Sequence, residues 1–226
     1  MKVIVGEKRY SYWLPIRTIF FIAIFWVIAL VSRKSVIEIS KYWTLIVIIC
    51  NLCTLMVIMA ICKKNHMDYL SLIDFKKLKL KTVIMGCLLV TVIGIIGTYL
   101  AGFLFYHVIP YTPDVMMQSL PLGIILFDLL LFPITSTLAE EGLYLGIGLN
   151  KAHSLKCAIF FYLIQHCFFP MMIDFKYMMY RIVSLIPFVC FICFYYKNKK
   201  EILPIMLGHF TINFLATMQI LLISIN

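Results

Sequence analysis

Residues 119–138 have the sequence SLPLGIILFDLLLFPITSTL, in which Asp128 is the only ionisable side chain. A helix of about 20 mostly apolar residues is long enough to cross the hydrocarbon core of a bilayer. This stretch therefore predicts a membrane-spanning helix, and the fold depends on how many similar stretches the chain contains.

The composition of the whole chain also indicates a membrane protein. Of its 226 residues, 63% are hydrophobic and 13% are charged, and the mean hydropathy is +1.01. Soluble domains are about half apolar and about a quarter charged. A chain this apolar lacks the polar side chains to cover a surface in water, which excludes a soluble globule, a disordered chain and a coiled coil. We predict a single membrane domain over residues 1–226.

Seven stretches have the length and apolar character of a membrane span. They lie near residues 14–32, 42–62, 83–109, 119–138, 155–172, 178–196 and 202–225. The fifth is short and carries Gln165 and His166 well inside it. The predicted fold class is all-α, a polytopic membrane helix bundle with about seven transmembrane helices.

The Lys and Arg residues predict the orientation of the bundle, because cytoplasmic loops carry an excess of both. With the N-terminus in the cytoplasm, 15 of the 20 basic residues fall on the cytoplasmic side. These include Lys2, Lys8, Arg9 and Arg17 before or at the first span, and a Lys-rich segment at 63–81. The net charge of +10 is thus a topology signal that also attracts anionic lipid. We expect membrane lipid around the protein, a cytoplasmic N-terminus and no nucleic-acid partner.

Three acidic residues lie inside or at the edge of a predicted span: Asp128, Glu140 and Glu141. Ionisable groups at membrane depth are costly and indicate functional sites. Asp128 is about 120° round the helix and ~18 Å from Glu140, so we expect it to cap or pair with a neighbouring helix. Adjacent helical residues point about 100° apart, so the two glutamates are expected to have different partners.

Two histidines lie inside later spans. His166 belongs to the fifth span, and His209 to the seventh, where Asn213 follows it by four residues and shares its helix face. Glutamate, histidine and a His–Asn pair therefore come from three successive membrane segments. This convergence favours a catalytic site over three unrelated packing residues.

These residue types suit the hydrolysis of a peptide bond by an activated water. A carboxylate in a low-dielectric cavity acts as general base and then protonates the leaving amine, and a His–Asn pair donates hydrogen bonds to the oxyanion. In a metalloprotease version, Glu140, His166 and His209 would bind Zn²⁺ and Glu141 would be the base. No HExxH motif is present. The glutamate-dependent version needs no cofactor, and both versions remain open at this point.

The three segments resemble the motifs of the CAAX protease and bacteriocin-processing family of intramembrane endopeptidases, abbreviated CPBP and also called Abi. Its motif EExxxR is matched by EEGLYL, with Leu145 in place of Arg; FxxxH is matched by YLIQH, with Tyr162 in place of Phe; HxxxN is matched by HFTIN. The resemblance covers residues 119–217, a CPBP-like catalytic core. Residues 1–110 are similar to the family's variable N-terminal helices.

The resemblance implies a role for each matched residue. Glu140 would activate the water with His166 beside it, His209 and Asn213 would form the oxyanion site, and Glu141 would be structural or assist. The substrate would be a peptide or a lipidated peptide. The family's bacterial branch implies processing or self-immunity for secreted peptides at a bacterial cell membrane.

Leu145 departs from the motif in a way that has physical consequences. An Arg four residues after Glu141 could pair with that carboxylate on the same helix face, and Leu145 cannot. Lys151 and Arg181 are possible replacements from elsewhere, and Tyr144 could donate a hydrogen bond to Glu140.

Two other classes of function therefore stay open. One is a catalytically weak or inactive scaffold or immunity protein of the same fold that acts by binding a partner. The other is a small transporter or channel in which Asp128, Glu140 and His166 line a proton path.

Overall fold

A computed structural model describes residues 9–109 and 117–225. All regular secondary structure in these two ranges is helical, which confirms the all-α prediction. Lys2 and Lys8, which contribute to the predicted orientation, lie outside the described residues.

The helices of these two ranges are numbered in chain order. They are α1 (Ile16–Ser32), α2 (Val36–Ser40), α3 (Trp43–Lys64), α4 (Tyr69–Leu72), α5 (Leu80–Tyr106), α6 (Leu122–Glu140), a π-helical segment that continues α6 (Glu141–Lys151), α7 (Leu155–Ile164), α8 (Phe168–Met171), α9 (Phe175–Lys199) and α10 (Ile202–Ile225).

Six helices in the described part of the chain are long and apolar enough to cross a membrane. They are Arg9–Ser32, Trp43–Lys64, Leu80–Tyr106, Leu122–Lys151, Phe175–Lys199 and Ile202–Ile225. Six of the seven predicted spans are therefore present as long helices. The chain has the architecture of a multi-pass membrane protein.

The predicted fifth span, residues 155–172, is instead a broken segment. Helix α7 has 10 residues, a turn occupies 165–167, and the four-residue helix α8 follows. Pro170 favours a break here, because its ring would clash with the carbonyl of His166 in a continuous helix. The turn leaves Gln165 and His166 outside a regular helix, in the middle of the bundle.

The broken segment still connects the two ends of the bundle. Helix α7 starts beside the π-helical segment and packs against it. Lys176, which follows α8, has its Nζ 4.5 Å from the ring centroid of Tyr106, at the far end of α5. Residues 155–174 therefore cross the bundle without forming one long helix.

The helices that matter for the site pack in a defined order. Helix α1 packs on α3, α3 on α6, α6 on α10, α10 on α5, and α5 on α9. At one end of the bundle, the Tyr196 hydroxyl donates to the Ile73 carbonyl at 2.9 Å, and Lys200 Nζ donates to Asn150 Oδ1 at 3.1 Å. The Lys-rich segments at 76–81 and 197–200 adjoin this end, which is the end predicted to be cytoplasmic; the orientation itself stays a prediction.

Helix α5 approaches its neighbours closely through glycine. A Cβ at Gly97 would lie 2.2 Å from the backbone oxygen of Ser184 in α9. Small residues allow helix backbones to come this close in membrane proteins. The contact fixes α9, and with it the neighbouring broken segment that carries His166.

We expect Gly97→Ala to destabilise the protein by about 1–3 kcal/mol, because backbone atoms cannot yield to the added methyl group. Gly123→Ala is the matched control, since a Cβ at Gly123 meets nothing within 4 Å. Thermal unfolding of both variants in detergent measures the difference. An equal melting temperature for the two variants would contradict the described packing of α5 on α9.

Candidate active site

The two glutamates lie where the α-helix changes to a π-helix. Helix α6 ends at Glu140, and the π-helical segment begins at Glu141. π-Helical turns are rare and occur frequently at functional sites. Helix α4 packs on this segment: a Cβ at Gly142 would lie 2.8 Å from the Tyr69 ring, and the Tyr69 hydroxyl donates to the Leu138 carbonyl at 2.6 Å.

The Glu140 carboxylate is buried and has three partners from other segments. Its Oε1 forms an ion pair with Arg17 Nη2 at 2.8 Å. Its Oε2 accepts a hydrogen bond from Gln165 Nε2 at 3.1 Å and lies 3.5 Å from His166 Nε2. The His166 side chain is 20% exposed and Glu140 3%, so His166 is the more accessible member of this pair.

The Glu141 carboxylate faces different partners, as the helical geometry predicts. Its Oε1 lies 2.7 Å from His209 Nδ1 and accepts a hydrogen bond from the Tyr162 hydroxyl at 3.1 Å. The Tyr162 ring stacks on the Tyr144 ring with centroids 4.6 Å apart. Tyr162 thus adjoins both halves of the site, since the Tyr144 hydroxyl bonds to Gln165.

Arg17 is the main residue that the sequence analysis missed. Its position near the start of the first predicted span places it among the predicted cytoplasmic basic residues, but it is only 4% exposed and pairs with residues inside the bundle. Its Nε donates to Asn51 Oδ1 at 3.0 Å, and its Nη1 donates to Gln165 Oε1. The sequence does contain a signal for this role, because Arg17 directly precedes the apolar run TIFFIAIFWVIAL. A buried cation indicates a functional site as much as a buried acid does.

The predicted replacements for the motif Arg do not pair with the glutamates. Leu145 is fully buried in the apolar core. Within the described ranges, Lys151 and Arg181 form no ion pair with either carboxylate. Tyr144, which could have donated to Glu140, donates instead to Gln165 Oε1 at 2.9 Å, and Gln165 Nε2 in turn donates to Glu140 Oε2 at 3.1 Å.

Two further polar residues lie outside this network. Asn213 is one turn beyond His209 and half-buried, and among the described contacts its side chain has no hydrogen bond to the network. Asp128 accepts a hydrogen bond from Thr44 Oγ1 of α3, which confirms the expected pairing with a neighbouring helix. Among the described residues, no contact connects Asp128 to Glu140 and His166 as a proton path would require.

The residues do not fit a zinc site well. Among the described residues, no three His, Cys, Asp or Glu side chains form a group that could hold a metal ion. The guanidinium of Arg17 is 2.8 Å from Glu140 and would repel a second cation at that carboxylate. His209 is held by the other glutamate.

Comparison with known proteins gives no family assignment. No family model matches the chain, and neither a curated protein nor a solved structure does. The geometry described above is therefore the basis for any function. What the fold and the composition show is a multi-pass helical membrane protein.

We expect Arg17→Met to lower the free energy of unfolding by about 3–5 kcal/mol, because it leaves a buried carboxylate without its cation. The double variant Arg17→Met, Glu140→Gln removes both charges and should recover much of this loss. Arg33→Met, at the exposed C-terminal end of α1, is the control. Thermal unfolding of wild type, Glu140→Gln and these three variants in one detergent tests the coupling, and additive effects of the two single substitutions would argue against the ion pair.

Proposed function

We propose that this protein is an intramembrane endopeptidase, similar to the CPBP family, that hydrolyses a peptide bond with an activated water. One observation carries the proposal: the acid and histidine residues of the three motif-like segments meet in two adjoining buried polar clusters, which the stacked rings of Tyr144 and Tyr162 connect. The contacts between Glu140 and His166 and between Glu141 and His209 are 3.5 Å and 2.7 Å. Apolar membrane helices have no packing reason to gather four such groups.

The Glu140 side of the network suits the activation of water. A water that donates to Glu140 Oε2 and His166 Nε2 has a free lone pair, with which its oxygen attacks the carbonyl carbon of the scissile bond. The released proton is accepted by this carboxylate–imidazole pair. The pair returns it to the amine nitrogen as the C–N bond breaks.

The Glu141 side suits the stabilisation of the oxyanion. Glu141 holds His209 by its Nδ1 at 2.7 Å, which fixes the ring with its Nε2 edge away from the carboxylate. When both ring nitrogens carry a proton, Nε2–H is a donor, and the Asn213 amide lies one helical turn away. Donors of this kind contribute about 10²–10³ in rate.

The position of the site supports cleavage near one face of the membrane. The π-helical segment runs from Glu141 to Lys151, at the end of the bundle with the Lys-rich segments. We propose a peptide or lipidated peptide as substrate, cut near the cytoplasmic leaflet. Processing of, or self-immunity to, a secreted peptide in a bacterial cell membrane is the corresponding role.

A second function keeps the same fold without catalysis. Every charged member of the network is at least four-fifths buried, the Gln165 amide lies between the two groups that would hold the water, and Leu145 replaces the motif Arg. These features favour a scaffold or immunity protein that acts by binding a partner. The experiment that follows separates the two functions.

We expect Glu140→Gln and His209→Asn each to reduce peptide cleavage at least about 100-fold, because each removes a group that acts in the transition state. The assay uses purified protein in lipid nanodiscs and internally quenched peptides, with and without a C-terminal S-farnesyl cysteine segment. Asp128→Asn, a buried acid on the same helix outside the network, is the control and should keep its activity.

The assay has three outcomes that distinguish the two functions. Cleavage by wild type and Asp128→Asn, but not by the two site variants, supports the endopeptidase. Cleavage that is equal in all four proteins comes from a contaminant and contradicts the proposal. No cleavage of any peptide by folded wild-type protein favours the partner-binding function.

A further inference from the structure

We infer that Arg17 is a positioning residue that orients the Gln165 amide and thereby holds His166 as the neutral tautomer with its proton on Nδ1 and an acceptor lone pair on Nε2. The catalytic meaning of this arrangement rests on the proposed function, but the arrangement itself does not. Five side chains in contact with one another determine it by their donor and acceptor capacities: Arg17, Tyr144, Gln165, Glu140 and His166.

The first step is the orientation of Gln165. Arg17 has only N–H donors and no acceptor, so the atom of Gln165 that faces Arg17 Nη1 must be the carbonyl oxygen. The Tyr144 hydroxyl donates to the same Oε1 at 2.9 Å. The amide is therefore fixed by a cation and a hydroxyl on its oxygen side, and a flipped amide would place N–H against N–H.

The second step is the tautomer of His166. With its oxygen towards Arg17, the amide directs its two N–H groups away, and Gln165 Nε2 lies 3.1 Å from Glu140 Oε2 and 3.1 Å from His166 Nε2. The carboxylate accepts one hydrogen. His166 Nε2 must accept the other, so the ring proton of the neutral imidazole is on Nδ1.

If the Gln165 amide moves away, Glu140 Oε2 and His166 Nε2 lose their donor and can bind another one. An NH₂ group and a water molecule both present two hydrogens, and the Gln165 NH₂ already donates to the two acceptors proposed to bind the water. A water in its place would donate to the same atoms and keep a lone pair for attack. Arg17 thus prepares an acceptor pair, Glu140 Oε2 and His166 Nε2, that matches water.

Arg17 is held rigidly enough to have this effect. Its Nε donates to Asn51 Oδ1, and Asn51 Nδ2 donates to Ser136 Oγ at 2.9 Å. Its backbone oxygen accepts from Cys50 Sγ at 3.3 Å. All three nitrogens of the guanidinium therefore have a partner, on α3, α6 and the turn that follows α7.

The test measures the tautomer of His166 by NMR on protein with ¹⁵N-labelled histidine, in nanodiscs and without substrate. His166→Asn assigns the signals. We expect wild type to show one neutral tautomer with the proton on Nδ1. Arg17→Gln removes the cation that holds the Gln165 oxygen, so the amide is no longer fixed against His166 Nε2, and the tautomer ratio should shift about tenfold towards Nε2–H.

Two other variants keep the inference testable if Arg17→Gln does not fold. Gln165→Ala removes the donor to His166 but keeps the buried ion pair, and it should shift the ratio in the same direction. Tyr144→Phe removes one hydrogen bond to Gln165 Oε1 and leaves Arg17 in place, so it should keep the wild-type tautomer.

Two results would overturn the inference. One is a wild-type His166 with its proton on Nε2, and the other is an unchanged tautomer in folded Arg17→Gln and Gln165→Ala. Because no cleavage is measured, these outcomes are independent of whether the protein is an endopeptidase. In an active protein, Arg17→Lys, which keeps the charge but loses the fork of donors, should lower kcat more than it changes KM.

Discussion

The ion pair between Arg17 and Glu140 is the interaction on which the rest of the site depends. A single charge inside an apolar bundle costs several kcal/mol, and a pair is tolerated only where its remaining hydrogen bonds are also satisfied. Asn51 and Gln165 satisfy those of Arg17, and Gln165 and His166 adjoin the free oxygen of Glu140. Helices α1, α3 and α6 and the broken segment are thereby joined by one polar cluster rather than by apolar packing alone.

The two glutamates lie where the α-helix changes to a π-helix, and as adjacent helical residues they point in different directions. Glu140, the last α-helical residue, turns towards α1 and the broken segment, whereas Glu141 turns towards α10 and bonds to His209. The glycines at 142, 146 and 148 let neighbouring side chains approach the π-helical segment closely. Two adjacent carboxylates can therefore share one buried region without facing each other.

The sequence predicted the ionisable side chains inside apolar runs but not the side chains that pair with them. Carboxylates and histidines inside apolar runs are rare, so Glu140, Glu141, His166 and His209 could be found from composition and position alone. Arg17 contacts Gln165 across 148 positions of sequence, and no local pattern encodes that contact. The break in the fifth span had a visible cause in Pro170, but hydropathy averaged over about 20 residues does not register a single proline.

The motif Arg is missing, but a buried carboxylate still has a cation beside it, which comes from another part of the chain. An arginine at position 145 would have to enter a region where Leu145 is fully buried among apolar side chains. Arg17 instead brings a guanidinium from the first helix, and it pairs with Glu140 rather than with Glu141. The cation can come from a distant part of the sequence, because the carboxylate requires only a positively charged side chain that is long enough to contact it. The Leu145 substitution is therefore a weak argument against catalysis. The position of the Gln165 amide is a stronger one, because a water molecule must displace the amide before the water can bind to Glu140 and His166.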